Sequence, residues 1–242
     1  MHSILEKLKD IKIVCLTWVI VSYIFPSLNA YDLKLLRTYV KKGAVAFDIG
    51  ANIGCFTFTM SRLAGREGAV IACEPIADNL KKLMYAKHGL GLDNVTIEPV
   101  AVSNSKGTCH MAIPLLKGIP KKTRSYIDIN SQGGIEQTTV QHLFEKHKLS
   151  KIDFIKCDVE GAEKLVFQGA AKLIKEHRPI VLCEIQDHHS KRFGTSANET
   201  MWLIRDLGRY EVYGIFGNKI RPVKEVCDTC INYLFLPKNH HE

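Results

Sequence analysis

Residues Val45 to Gly54 read Val-Ala-Phe-Asp-Ile-Gly-Ala-Asn-Ile-Gly, an apolar run that stops at a carboxylate and turns through two glycines into Cys55-Phe56-Thr57-Phe58-Thr59-Met60. A short apolar run passing straight into such a turn reads as a buried strand feeding a helix, the opening unit of an α/β sheet. Gly50 and Gly54 have no Cβ, so the turn can take dihedrals closed to other residues and admit a ligand to the backbone at the helix start. Twenty residues past Gly54, Glu74 ends a second apolar run, Ala69 to Cys73. An acid at the tip of the second strand is where a doubly wound sheet grips a ribose.

The glycine spacing discriminates between ligands. A dinucleotide fold needs Gly-x-Gly-x-x-Gly so that a pyrophosphate can lie against the helix start, and here the middle position is Asn52. Asp48, just before the turn, would repel a pyrophosphate yet attract an ammonium or a sulfonium. The pattern favours S-adenosylmethionine over NAD, with a tight turn that holds no ligand as the plain alternative.

Beyond the turn the chain alternates as a parallel sheet demands. Strands are predicted over 44–48, 69–74, 95–99, 153–158, 180–185, 211–216 and 231–236, and helices over 54–63, 76–87, 140–147, 162–176 and 197–207. The stretch from Thr108 to Gly134 breaks the alternation. With Lys117, Lys121, Lys122, Arg124, two prolines and a Gly-Gly pair it reads as a loop, a place for substrate selection or simply a solvated basic segment.

A second block runs Cys157-Asp158-Val159-Glu160-Gly161-Ala162-Glu163. Together with Asp48 to Gly54, Glu74-Pro75 and Ala101-Val102-Ser103, this block resembles the FkbM-type family of S-adenosylmethionine-dependent methyltransferases over roughly residues 32–236. Four motifs in order are far more specific than one. The resemblance implies a Rossmann-like, doubly wound, mostly parallel seven-stranded sheet of the class I methyltransferase type, with a late antiparallel strand. It also implies methyl transfer to a hydroxyl of a sugar, glycolipid or related secondary metabolite. One departure stands out: many members carry Leu-Asp after a Thr-Thr pair, whereas Thr138-Thr139 here runs into Val140-Gln141.

In an open α/β sheet the ligand lies beyond the carboxyl ends of the strands, and Asp48, Glu74, Asp158 and Glu184 all stand at such ends. The expected cofactor contacts are Asp48, Gly50, Asn52 and Gly54 at the turn, Glu74 on the ribose, and Ala101 and Val102 on the adenine face. Asp158 with Glu160, and Glu184 with Asp187, His188 and His189, would lie nearer the transferred methyl. Methyl transfer from a sulfonium is an in-line displacement in which alignment supplies much of the rate. A hydroxyl nucleophile still profits from a base, and His188 or His189 has the intrinsic pKa for it. Mg²⁺ held by Asp158, Glu184 and Asp187 is the other route, while Asp158 and Glu160 capping the following helix is the bland one. Methyl transfer to nitrogen, an NAD-dependent oxidoreductase and a non-catalytic nucleotide-binding module remain as alternatives.

At 242 residues, with 46% hydrophobic and 24% charged residues, the chain fits one α/β domain over 31–242 preceded by an apolar N-terminal helical extension over 1–30. Ile13 to Phe25 is shorter than the ~20 residues needed to span a bilayer. With Lys7, Lys9 and Lys12 ahead of it, residues 11–26 read either as a packing helix or as a membrane-surface anchor. Leu28 is large for a signal-cleavage position ahead of Ala30. Lys and Arg outnumber Asp and Glu 33 to 25, but no nucleic-acid motif accompanies that charge, so a small-molecule or glycan acceptor is expected and a nucleic acid is not. The eight cysteines include Cys227 and Cys230 as a lone Cys-x-x-Cys without the second pair a zinc site needs. The others fall mostly in strand-like runs, which suits reduced, buried thiols and a cytoplasmic, possibly membrane-associated, protein.

Overall fold

A computed structural model describes residues 31–116, 119–120, 124–128, 131 and 133–238. The extension over 1–30, with residues 11–26 in it, and Lys117, Lys121 and Lys122 lie outside the described residues. In chain order the first elements are α1 (Tyr31–Tyr39), β1 (Val45–Ile49), α2 (Cys55–Ala64), β2 (Ala69–Cys73), α3 (Ala77–Leu90) and β3 (Val95–Glu98). A run of short strands follows: β4 (Ala101–Val102), β5 (Gly107–Ala112), β6 (Leu115–Leu116), β7 (Ile119–Pro120), β8 (Tyr126–Asp128) and β9 (Ile135–Thr138). Then come α4 (Val140–Lys146), β10 (Phe154–Cys157), α5 (Glu163–Gly169), α6 (Ala171–His177), β11 (Ile180–Glu184), α7 (Asp187–Ser190) and α8 (Ala197–Gly208). The chain closes with β12 (Tyr210–Phe216), β13 (Lys219–Pro222) and β14 (Asn232–Pro237).

The main sheet has eight strands in the order β13-β12-β14-β11-β10-β1-β2-β3. Strands β3, β2, β1, β10 and β11 are parallel, and β14 runs antiparallel between β11 and β12. Every run predicted as a strand forms one. The eighth strand, β13, is a hairpin return onto β12 with mostly exposed side chains, and an exposed edge hairpin leaves little apolar signature in sequence. The helix predicted over 162–176 is two helices that meet at Ala170.

The sheet is buried on both faces, which explains its near-continuous apolar strands. On one face Ala46, Val70, Phe154 and Leu182 pack with Leu36, Phe58, Met60 and Leu83 from α1, α2 and α3. On the other, Phe47, Ile71, Ile155 and Val181 pack with Leu143, Phe167, Ile174 and Met201 from α4, α5, α6 and α8. Alternation along each strand assigns consecutive residues to opposite faces. Asp48 and Lys156 break the apolar pattern. They are register partners on β1 and β10, so two opposite charges lie side by side in the middle of the sheet, 1% and 3% exposed.

The segment read as a loop is instead the heart of a second sheet. Strands β4, β9, β5 and β8 pair in that order, and β6 with β7 forms a separate hairpin. These strands span two to six residues and, apart from the buried two-residue β4, are half exposed, too short or too wet to show the alternation that marks a strand. Where the family pattern has its acid, Gln141 bonds along α4 to Glu145 (2.7 Å). No helix among the described residues is long and apolar enough to cross a membrane.

The β1–α2 turn touches β10 so closely that a Cβ added to Gly50 would lie 1.9 Å from the Asp158 carbonyl oxygen, at a φ of +79° that L side chains rarely adopt. Gly50→Ala is expected to cost about 3 kcal/mol or more through clash and strain together. Urea denaturation checks this, and a loss under about 1 kcal/mol would mean that β10 yields freely.

Candidate active site

The turn from Gly50 to Gly54 spends its N–H groups on the protein itself. Gly50 and Ala51 donate to the Cys73 carbonyl (3.0 and 2.9 Å), Gly54 donates to the Ala51 carbonyl (2.9 Å), and Asn52 donates to Glu74 Oε2 (2.8 Å). Asp48 sits behind the turn, where its carboxylate accepts from Thr57 Oγ1 (2.5 Å) in the first turn of α2. The positive end of that helix is therefore already met by a carboxylate of the chain. Burial pushes Asp48 up to about 6, against the pull of Lys156 and the Thr57 hydrogen bonds. Gly54 also serves packing, since a Cβ there would lie 2.3 Å from the Phe58 ring and 2.6 Å from Leu83.

Glu74 is the hinge between turn and second strand. Besides Asn52 it accepts from the Ile76 N–H (2.9 Å) and Asn79 Nδ2 (3.1 Å), and it is 4% exposed. Its pKa is raised by burial and held back by those three hydrogen bonds. A carboxylate offers about four lone-pair sites, so one remains.

Glu74 opens onto a cavity at the carboxyl ends of β1, β2 and β10. Gly50, Asn52, Asp158 and Glu160 line one side, and Val100, Ala101 and Val102 another. The far wall comes from the second sheet through Met111, Ser125 and Ile127. The mix of apolar walls with a few carboxylates is that of a ligand site.

The Asp158 to Glu163 block divides its acids among three tasks. Asp158 Oδ2 lies 3.3 Å from the Lys156 ammonium, which also sits 4.9 Å from the centre of the Phe56 ring. Burial alone would lower the Lys156 pKa, but the charges of Asp158, Asp48 and Glu184 raise it well above its ordinary value. Glu163 turns back to accept from the Val159 and Gly161 N–H groups (3.1 Å each), closing the loop that carries Glu160. Burial pushes Glu163 up to about 7. Glu160 holds a left-handed φ of 58°, a strained conformation that clusters at functional sites. Burial, then the charges of Asp158, Glu184 and Glu163, push its carboxyl up to about 7.

His189 Nε2 is 3.2 Å from Glu160 Oε2. Burial and the charges of His188 and Arg192 push the His189 pKa down to about 4, so at neutral pH the ring is uncharged. His188 is exposed and lies against His189 at 3.9 Å between ring centres. Glu184 bonds to Gln186, and burial with the Asp158 charge raises its pKa.

Of the residues expected at the site, Gly50, Asn52, Glu74, Ala101, Val102, Asp158 and Glu160 line the one cavity. Asp48, Gly54, Glu184, His188 and His189 do not; Asp48 and Gly54 support the turn, and His189 reaches the wall only through Glu160. The expected Mg²⁺ cluster does not form. Asp187 is turned to Lys191 (2.6 Å) and to the Ala197 N–H (3.2 Å), the Lys156 ammonium sits beside Asp158, and no metal-holding group of three ligands occurs among the described residues. Lys156, Glu163 and the wall residues of the second sheet had not been singled out. A lysine inside an otherwise apolar strand was the available signal for the first.

The model of the Methyltransferase FkbM domain matches residues 48–210 of the sequence. No curated protein matches it. Among solved structures the chain is similar to methyltransferase FkbM from Methylobacillus flagellatus KT, with 16% identity, a TM-score of 0.54, and 80% of this chain against 44% of that one covered. It is also similar to an S-adenosylmethionine-dependent O-methyltransferase from Thermotoga maritima (15% identity, TM-score 0.48, 87% and 66% covered) and to an rRNA methylase from Streptococcus thermophilus (11%, 0.48, 86% and 92%). The chain thus spans under half of the first protein and 66% of the second. Likeness at such identity carries fold alone, and the first of the three carries it here.

Removing one member of a buried charge cluster costs more than removing both, because the remaining charge is left uncompensated. Lys156→Met is expected to destabilise the protein by about 3 to 5 kcal/mol, with part of the loss recovered in Lys156→Met combined with Asp48→Asn. Additive losses in denaturant melts of the single and double variants would show that the two charges are not coupled.

Proposed function

Because the chain belongs to the FkbM methyltransferase family, we propose that it moves the methyl group of S-adenosylmethionine onto a hydroxyl oxygen of a small acceptor, of the sugar, glycolipid or secondary-metabolite kind, with Glu160 as the base. The observation that carries this reading is a single cavity bounded by Glu74 at one strand end and Glu160 at another. The residues present fit S-adenosylmethionine. Glu74 keeps an acceptor site for a ribose hydroxyl, Val100, Ala101 and Ile127 offer apolar surface for a flat base, and Asp158 with Glu160 favours a cation. A dinucleotide fits poorly, since the turn has no free pair of N–H groups for a pyrophosphate and Asp48 already occupies the positive end of α2.

When bound, S-adenosylmethionine supplies an electrophilic methyl carbon on a positively charged sulfur. The chain's own part is to place the acceptor oxygen in line with that carbon and to take its proton. Glu160 suits the second task because a base pushed up to about 7 is about half ionised and reasonably basic at neutral pH. Neutral His189 donates from Nε2 to the Glu160 carboxylate and fixes its orientation, which makes it a positioning residue. Lys156 holds Asp158 in place beside the base, its ammonium 3.3 Å from Asp158 Oδ2. The strained backbone at Glu160 is held by Glu163, so the base is delivered by a loop that cannot relax without breaking two hydrogen bonds.

Glu160→Gln is expected to lower kcat about 10²-fold or more at saturating S-adenosylmethionine. Since the base must be ionised, kcat/KM of the native protein should fall as pH drops below about 7, and the glutamine variant should lose that limb. The measurement is release of S-adenosylhomocysteine over a panel of hydroxylated sugars and glycolipids, in the presence of EDTA. Full activity of Glu160→Gln would remove the residue from the chemistry.

Glu74→Gln sets an amide N–H₂ against donors that now meet a carboxylate. S-adenosylmethionine binding should weaken by about 1.5 to 3 kcal/mol, roughly 10- to 150-fold. Unchanged affinity by calorimetry in the folded variant would clear Glu74 of any cofactor contact.

A further inference from the structure

The mouth of the cavity carries two guanidinium groups that the proposed chemistry leaves unused. Arg192 lies over the Tyr126 ring with its Cζ 4.3 Å from the ring centre, and its Nη1 is 3.5 Å from the Glu160 carbonyl oxygen. Tyr126 sits in β8 between Ser125 and Ile127, both of which line the cavity. A guanidinium held over a ring face keeps N–H donors for other partners. Arg124, exposed and one residue before Ser125, acts on the same place, because its charge lowers the pKa of Glu160 and of His189 alike. Among the described residues neither arginine has a carboxylate within ion-pair distance. Lys191, by contrast, is tied to Asp187.

The Arg192 guanidinium over the Tyr126 ring, with the exposed Arg124 adding its charge at the same place, forms a site for a planar or tetrahedral anion, since arginine binds carboxylate and phosphate through paired N–H groups. The cavity interior is acidic, through Glu74, Asp158 and Glu160, and repels such a group. An anion is therefore stable at the rim and nowhere deeper. A hydroxylated molecule anchored there by its charge presents its neighbouring hydroxyl inward, toward Glu160.

Resting on the methyltransferase reading above, we infer that Arg124 and Arg192 form an anion subsite at the cavity mouth, and that the acceptor is a small hydroxylated molecule carrying a carboxylate or phosphate close to the hydroxyl that is methylated. The subsite selects the acceptor and takes no part in proton transfer.

The test is calorimetric titration of the S-adenosylhomocysteine-loaded protein with four probes at fixed ionic strength: glucose, glucuronate, glucose 6-phosphate and a single-stranded RNA oligonucleotide. At least one charged sugar is expected to bind roughly tenfold or more tighter than glucose, as expected for charge-assisted hydrogen bonds. Whether glucuronate or glucose 6-phosphate is preferred assigns the anion as carboxylate or phosphate. Arg192→Ala and Arg124→Ala should each erase the preference without changing S-adenosylhomocysteine affinity, and Arg192→Lys should restore only part of it, since lysine lacks the planar fork. Equal affinity for charged and neutral sugars, including no binding of either, overturns the inference, as does a preference that survives both alanine variants. Tighter binding of RNA than of either charged sugar, lost in the same variants, overturns it by assigning the arginines to a nucleic-acid backbone. Failure to bind S-adenosylhomocysteine at all would instead bring down the methyltransferase reading.

Discussion

A lysine in the middle of a parallel sheet is expensive unless its charge is met, and the carboxyl end of this sheet is organised around meeting it. Lys156 stands in β10 beside Asp48 of β1, two residues before Asp158 and across from Leu182 on β11, whose last residue, Glu184, also acts on it by charge. Asp32 of α1 adds a fifth charge to the group, coupled to Lys156 and Asp158 and bonded to Asn232 at the start of β14 (2.7 Å). One ammonium thus ties together three parallel strands, the reversed strand and the first helix. Because the desolvation cost of a buried cation is repaid only by well-placed partners, each of those acids is fixed in place. Two of the cavity's properties follow from this arrangement. Asp158 is held at its edge beside the Lys156 ammonium, and Asp48 stays behind the turn, bonded to Thr57.

The same residue type takes different roles because environment moves its pKa. Asp48 is buried against Lys156 and Thr57 and serves the helix end. Glu163, wholly buried, is satisfied by two backbone N–H groups and serves the loop. Glu160 is the member of the block that is both pushed up to about 7 and open to the cavity. Its neighbours Asp158 and Glu163 raise it by like-charge repulsion. A carboxyl poised near neutrality is thus a by-product of the same acids that secure the lysine and the loop.

Most of the framework was legible in the sequence. The seven apolar runs were long and doubly buried, so each strand announced itself, and the turn from Asp48 to Gly54 with Glu74 fixed where the carboxyl ends lie. What escaped has physical reasons. β4 to β9 are too short or too exposed for a periodic signal, although they supply Met111, Ser125 and Ile127 to the cavity. Lys156 looked like one charge in an apolar strand until pairing placed Asp48 beside it. His188 and His189 carried an intrinsic pKa suited to a base, but sequence does not show that His189 is half buried among positive charges and so stays neutral. Nor does sequence show that Gly50, which lines the cavity, also makes room for Asp158, or that Gly54 makes room for Phe58.

Charge changes sign along the path into the site, and that gradient decides what can enter. At the rim stand Arg124 and Arg192; deeper lie Glu160, Asp158 and Glu74. A cationic cofactor gains as it moves inward and an anion gains only at the mouth, so the two partners of a methyl transfer are drawn to different depths. Screening at physiological salt acts over about 8 Å, which leaves the partly enclosed interior charges less damped than the exposed arginines. The inner preference for a cation should therefore persist as salt rises while the outer preference for an anion fades. Acceptor affinity and cofactor affinity thus respond differently to ionic strength, a consequence of where on one short path the chain has placed its two signs of charge.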